Sequence, residues 1–244
     1  SPGMSLKAKI LRTLVSGCLL ISQLVCAAGA MAAPKTLSLV YEVTRNGQPF
    51  ATITESYSQE NGRYRIESAT KGIGVYALFG ERKLTSEGDV TSDGLKPSHF
   101  ELHQGDSEKK SLFADFDWAA NTLTMKIKGK LTTVPLEKDA QDLISFSYQF
   151  MFAQPQGDAL LLPVTTGKKL RIYNYMVVER DASLELPAGK FKTIHLVKAS
   201  KDDSANEEKE LWLGAEAYSL PVRIVMYDEN GAKIEQSLTS LHVE

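Results

Sequence analysis

The chain has 244 residues, with 28 Lys and Arg against 30 Asp and Glu. A formal charge of −2 excludes the broad basic face that nucleic-acid phosphates demand, and the length is enough to bury a core without disulfide staples. Both cysteines, Cys18 and Cys26, fall in the first thirty residues, so the rest of the chain has no thiol chemistry.

In chain order, "SPG" ahead of Met4 reads as a cloning remnant. Lys7, Lys9 and Arg12, the apolar run "TLVSGCLLISQLVCAA" and the small-residue finish "GAMAAP" then make a secretory signal pattern. Ala30-Met31-Ala32 fits the cleavage rule, which predicts residues 1–33 as remnant plus cleavable signal and 34–244 as one β-rich periplasmic domain. The apolar run is broken by Ser, Cys and Gln and is shorter than the ~20 residues a spanning helix needs, so no membrane span is expected after cleavage. "LVSGC" at Leu14–Cys18 matches a lipoprotein processing site, but the apolar run continues past it and chance is the preferred reading. Loss of the three N-terminal cations takes 28 basic residues to 25 against 30 acidic.

Strand signals then dominate. In "TLSLVYEVT", Leu37, Leu39, Tyr41 and Val43 alternate with mostly polar neighbours, and Asn46-Gly47 supplies hairpin-turn chemistry. "ATITESY" returns with Ala51, Ile53 and Tyr57 on one face, and Asn61-Gly62 turns into "RYRIES". "LTMKIK", "KLRIYNYMVVE", "FKTIHLVKA", "ELWL", "PVRIVMY" and "AKIEQSL" continue the pattern. About a dozen strands at this spacing predict a mainly β chain: a single curled antiparallel sheet, closed as a β-barrel or left as a broken barrel or β-spiral, with one buried helix near 140–153. The charge run "KDDSANEEKE", Lys201–Glu210, reads as a solvated hairpin tip.

Two apolar segments exceed what a simple sheet requires. "GIGVYALFG", Gly72–Gly80, reads as a glycine-hinged flap carrying Val75, Tyr76, Leu78 and Phe79. "LISFSYQFMFA", Leu143–Ala153, is ambiguous by period, but Asp139 and Asp142 suit a helix start and Pro155 a stop. As a helix it would be about 16 Å long, half a hydrocarbon core, with Ser145 and Gln149 on one narrow polar strip. A helix apolar nearly all round has to be buried. Flap and helix either cork the sheet or line a cavity, and both readings stay open. The ligand-facing candidates are Phe146, Tyr148, Phe150, Trp212, Tyr76 and Phe79. For Trp212 a place in the core is the plainer reading; for Arg223 it is a solvent-facing position with a salt bridge to Glu216 as the alternative.

Signals for chemistry are weak. His99, Glu101 and His103 in "HFELH" share one strand face, but the outer side chains stand too far apart along a regular strand for one ion, so no metal site is assigned. Asp115 and Asp117 in "FADFDW" have a spacing that overlaps glycosidase carboxylate pairs, and two solvated aspartates give the same pattern. "SEKK" at Ser107–Lys110 matches Ser-x-x-Lys by chance, and nucleophile-elbow, phosphate-loop and His-Glu-x-x-His motifs are absent. His195 would serve a triad assembled from distant residues, though a core or face residue is the plainer reading. No catalytic residue and no cofactor is assigned.

"DGLKPSHFEL", "FADFDW", "DLISFSYQF", "LPAGKFKT", "ELWLGAEAYSLPVRI" and "ENGAKIEQSL" occur in this order and resemble the bacterial exported-protein family catalogued as domain of unknown function 3108. The resemblance spans about Leu37 to Leu241 and is most specific at Pro187–Phe191 and at Trp212 with Pro221-Val222-Arg223. It implies an envelope protein with a curled broken-barrel sheet, in the style of lipoprotein carriers, and carries over no catalytic residue. The expectation is therefore a non-catalytic periplasmic protein that binds a hydrophobic small molecule, lipid or lipoprotein. An envelope-assembly or peptidoglycan interaction protein is the alternative, and a glycan or ester hydrolase a more distant one.

Overall fold

A computed structural model describes residues 32–199 and 206–244. The signal-peptide reading and the start of the acidic loop, 200–205, lie outside the described residues.

The described residues form one 15-stranded sheet. Eight strands run as a meander: β1 (Thr36–Arg45), β2 (Gln48–Glu60), β3 (Arg63–Gly72), β4 (Arg82–Thr91), β5 (Gly94–Gln104), β6 (Leu112–Asp117), β7 (Thr122–Ile127) and β8 (Lys130–Pro135). A two-residue β9 (Gln141–Asp142) and the helix α1 (Ser145–Gln149) follow. A second meander holds β10 (Ala159–Thr165), β11 (Leu170–Leu186), β12 (Gly189–Lys198), β13 (Glu210–Gly214), β14 (Pro221–Tyr227) and β15 (Lys233–Val243). β15 returns to pair antiparallel with β1 and joins the two arms, leaving β8 and β9 as the sheet's ends.

The curled sheet is therefore not a closed barrel, and it has fifteen strands where alternation alone suggested about a dozen. The count rises because short strands such as β8 and β9 lack an alternation long enough to read. The predicted Asn-Gly turns are present: Asn46 and Gly47 have φ of 47° and 80°, the left-handed pair that matches strand twist.

Where a barrel would close by a backbone ladder, side chains make the junction here. The Gln141 amide donates to the Leu95 carbonyl of β5 at 2.9 Å, and Gln149 accepts from the Leu95 amide at 2.8 Å. Thr165, at the end of β10, reaches the Met125 sulfur of β7.

The helix is a correction in length. Regular α-helix covers five residues, Ser145–Gln149, and 3₁₀-type bonds from Met151 to the Tyr148 carbonyl and from Phe152 to the Gln149 carbonyl carry on as turns. It is buried as expected, because two core clusters meet on it. Tyr148 and Ile144 join the cluster of Leu37, Tyr57, Ile66 and Phe100, whereas Phe146 and Phe150, one turn apart, join that of Tyr173, Tyr175, Leu196 and Leu211. Asp142 precedes it as an Asx turn: its Oδ1 accepts from the amides of Ile144 (3.0 Å) and Ser145 (2.7 Å), and Ser86 donates to its other oxygen.

Candidate functional site

Strand register places one row of side chains across the concave face: Tyr41 opposite Ile53, Ile53 opposite Thr70, Thr70 opposite Arg82, and Arg82 opposite Gln104. Because side chains alternate between faces, the neighbouring inward row carries Glu55 and Ser68, which are also cross-strand partners. Together with Ile224 and Met226 of β14, Leu143 and Ile144 just before α1 and Ser147 within it, these residues surround a chamber of about 500 Å³. The interior is therefore not fully corked. The helix forms part of its wall.

Gly72–Gly80 covers this chamber as a flap. Its 3₁₀ turn, Gly74–Phe79, is pinned by the Ile73 amide donating to the Phe50 carbonyl at 2.8 Å. The Phe50 and Tyr76 rings meet edge to face at 4.5 Å, and the Gln104 amide donates to the Phe79 carbonyl at 2.9 Å. At Gly72 a close approach requires glycine: a Cβ there would stand 2.3 Å from the Tyr76 carbonyl oxygen. Val75, Leu78 and Phe79 stay 71%, 87% and 73% exposed, an apolar patch at the chamber's rim with no core partner.

Two buried carboxyls line the chamber. Glu55 is buried, with Ser68 donating to one oxygen at 2.8 Å and Tyr148 to the other at 3.0 Å. Burial raises its pKa and these two hydrogen bonds only partly oppose that. Glu208 is also buried, and desolvation pushes its carboxyl up to about 7 despite the Arg82 and Lys198 charges that favour ionisation. One Glu208 oxygen has no hydrogen-bond partner. Arg82 is open to water within the cavities yet hemmed in by protein, which lowers its pKa, with Glu208 partly restoring it.

Of the six sequence-predicted ligand residues, Tyr76 and Phe79 line the chamber. Phe146, Tyr148 and Phe150 sit behind its wall: Phe146 packs edge-on against Tyr173 and Tyr148 stacks on Tyr57. Trp212 lies on the opposite face of β13 from the buried Leu211 and Leu213, sandwiched between His195 and the Arg223 guanidinium. Arg223 pairs with Glu235 at 3.0 Å, and Glu216 instead accepts from the Lys192 amide.

The weaker chemical candidates resolve into local networks. Glu101 bridges both imidazoles, at 2.8 Å to His99 and 2.8 Å to His103, and His99 also bonds Asp115 at 2.6 Å. Among the described residues no His, Cys, Asp and Glu cluster has metal-binding geometry. Asp115 and Asp117 share the exposed face of β6, but Asp117 is taken up in capping a turn, accepting from the Ala120 amide at 2.9 Å, and Asp115 in bonding His99. His195 pairs with Glu210 at 3.0 Å.

Sequence reasoning missed Glu55, Arg82 and Glu208. Glu55 falls between Ile53 and Tyr57 on the face already read as apolar, so the alternation held the signal. Glu208 lies in the charge run taken as solvated, yet Glu207 and Glu208 are 6% and 8% exposed.

The described residues thus define a class by architecture: an open, curled sheet, antiparallel except for the β9–β10 pair, folded round a partly apolar chamber. The chain belongs to the family described as "Protein of unknown function (DUF3108)", which matches residues 40–239. Membership assigns it no reaction. No curated protein matches the chain.

Proposed function

We propose that the protein is a non-catalytic binding module of the cell envelope, working in the periplasm, that holds an acyl-chain-like ligand in the chamber beneath the Gly72–Gly80 flap. The observation that carries this reading is the chamber itself. Its volume of about 500 Å³ lies within the roughly 300–1,000 Å³ of small-molecule sites, and its lining of Val43, Phe50, Ile53, Leu84, Ile144 and Met226 is apolar with a few polar anchors. The exposed apolar flap sits where such a chain would pass, and the signal-like N-terminus supports export.

The test is direct. Organic extraction of the purified protein followed by mass spectrometry reads any co-purified acyl lipid, and a fluorescent fatty-acyl probe is titrated into the extracted protein. Thr70→Trp fills the chamber from its wall and is expected to weaken probe binding at least about tenfold while preserving the β spectrum. Saturable binding of equal affinity to wild type and Thr70→Trp would remove the chamber from the account, and an empty extract with no probe binding would end it.

A further inference from the structure

The chamber does not stand alone. A second cavity of about 720 Å³ adjoins it, and Arg82, Gln104, Leu143 and Asn206 belong to the walls of both. It lies between the ends of β5, β6 and β7 in one arm and the β10–β11 hairpin of the other. The two compartments differ in character. Leu102, Leu112 and Ile127 supply apolar wall to the second, but its rim carries Arg82, Lys109, Lys110, Lys128, Lys168 and Lys169.

Arg171 lines it too and lies 3.5 Å from Glu207, whose carboxylate is also held by Lys198. Glu207 is the sole carboxylate among the described lining residues; Arg171 pairs with it and Arg82 faces Glu208, whereas Lys109, Lys110, Lys128, Lys168 and Lys169 make no ion pair with a described residue. The chain as a whole has more acid than base. Gathering these cations round one concavity is therefore a local choice that opposes the average, and their mutual repulsion is relieved by a bound anion.

We infer that the basic vestibule is the headgroup site for a phosphate-bearing amphiphile whose acyl chain occupies the neighbouring chamber, with Arg82 at the junction of the two. This deepens the binding reading above and rests on it. Ammonium and guanidinium donors at several points of a rim suit the three oxygens of a phosphate monoester better than a neutral or zwitterionic head. The chain is then held by area and the head by charge, which gives selectivity among lipids of equal chain length.

Displacement of a fluorescent acyl probe tests this with three ligands of one chain length: a lysophosphatidic acid, a lysophosphatidylcholine and a monoacylglycerol. Each is used below its micelle concentration and at two salt concentrations. Inorganic pyrophosphate alone forms a fourth arm. The lysophosphatidic acid is expected to bind at least about tenfold tighter than the monoacylglycerol, with the gap narrowing at high salt.

The double substitution Lys168→Glu with Lys169→Glu, on two exposed side chains, should close that gap and leave monoacylglycerol binding unchanged; the Gln pair should close it in part. Equal affinity for the three heads, or an unaltered preference in the Glu pair, would overturn the headgroup assignment and leave the acyl-chain reading intact. Failure of every amphiphile to displace the probe would remove both. Pyrophosphate bound at the vestibule without any preference among the amphiphiles would make it a site for free anions, which also overturns the assignment.

Discussion

Glu208 shows how a single residue reports on the interior. Its carboxyl titrates at about 7 when folded against an ordinary 4.5, because burial outweighs the attraction of Arg82. Between those two values the folded state holds a proton that the unfolded chain has released, so stability falls as pH rises from about 4.5 to about 7 and is flat above. A shift of that size corresponds to roughly 3 kcal/mol. Glu208→Gln, which has no charge to bury, should raise the urea midpoint at pH 8 and leave it nearly unchanged at pH 4.5; an equal gain at both pH values would show that the carboxyl is not the cause. Asp142, pushed to about 6 by burial, adds a slope of the same sign just below it. His99 works in the same direction by another route: burial lowers its pKa, the Glu101 and Asp115 carboxylates together outweigh that, and the net rise gives stability that is lost as pH climbs through the folded value. None of these behaviours was legible in the sequence. A carboxylate in a polar run looks the same whether it points to water or inward, and the neighbours that mark Glu207 and Glu208 as buried, Arg82, Arg171 and Lys198, are distant in sequence or lie on another strand.

The elements were more legible than the residues, for physical reasons that differ between them. Alternation with Asn-Gly turns specified β1 to β3 because register and turn twist both act within a few residues. The polar strip of Ser145 and Gln149 was also readable, and both side chains have partners: Ser145 donates to Gln141 at 2.8 Å and Gln149 engages Leu95 and Asp93. Helix length was not, since the turns after Gln149 are set by contacts with two cores rather than by local preference. The flap was read as glycine-hinged, and its close packing shows what one of those glycines does. Gly72→Ala would put a methyl carbon 2.3 Å from the Tyr76 carbonyl oxygen, against backbone that has to give way. The expected result is a lifted flap: faster release of an acyl probe in stopped-flow, with little change in melting temperature because the flap contributes no buried residue of its own. A large fall in melting temperature with an unchanged release rate would mean that the flap is structural rather than a door.

At the scale of the molecule, the open sheet raises the question of what makes its two arms act together. Among the described residues the backbone ladder links them through β1 and β15 alone, on the side remote from β8 and β9. The larger core cluster also reaches both arms, through Phe191, Val222 and Leu238, and the helix segment adds a further link: Tyr148 packs in that core and donates to Glu55 on β2, while Phe146 and Phe150 pack in the other among Tyr173, Tyr175 and Leu211. Phe146→Ala removes a ring that is 1% exposed and should cost about 3–5 kcal/mol, the usual loss for a fully buried aromatic. The informative measurement is where that loss appears. If the helix couples the arms into one cooperative unit, amide exchange should quicken by the same factor in β1–β3, which Phe146 does not support through its own core cluster, as in β11–β13. Quickening confined to β11–β13 would divide the sheet into two units hinged at the β1–β15 pair. That outcome would also change the binding argument, because the chamber walls come from both arms, and a ligand touching both would then be needed to hold them together. Phe146→Ala with saturating acyl probe separates the cases: a single unit gains the same protection throughout, whereas hinged arms would become cooperative only when the chamber is filled.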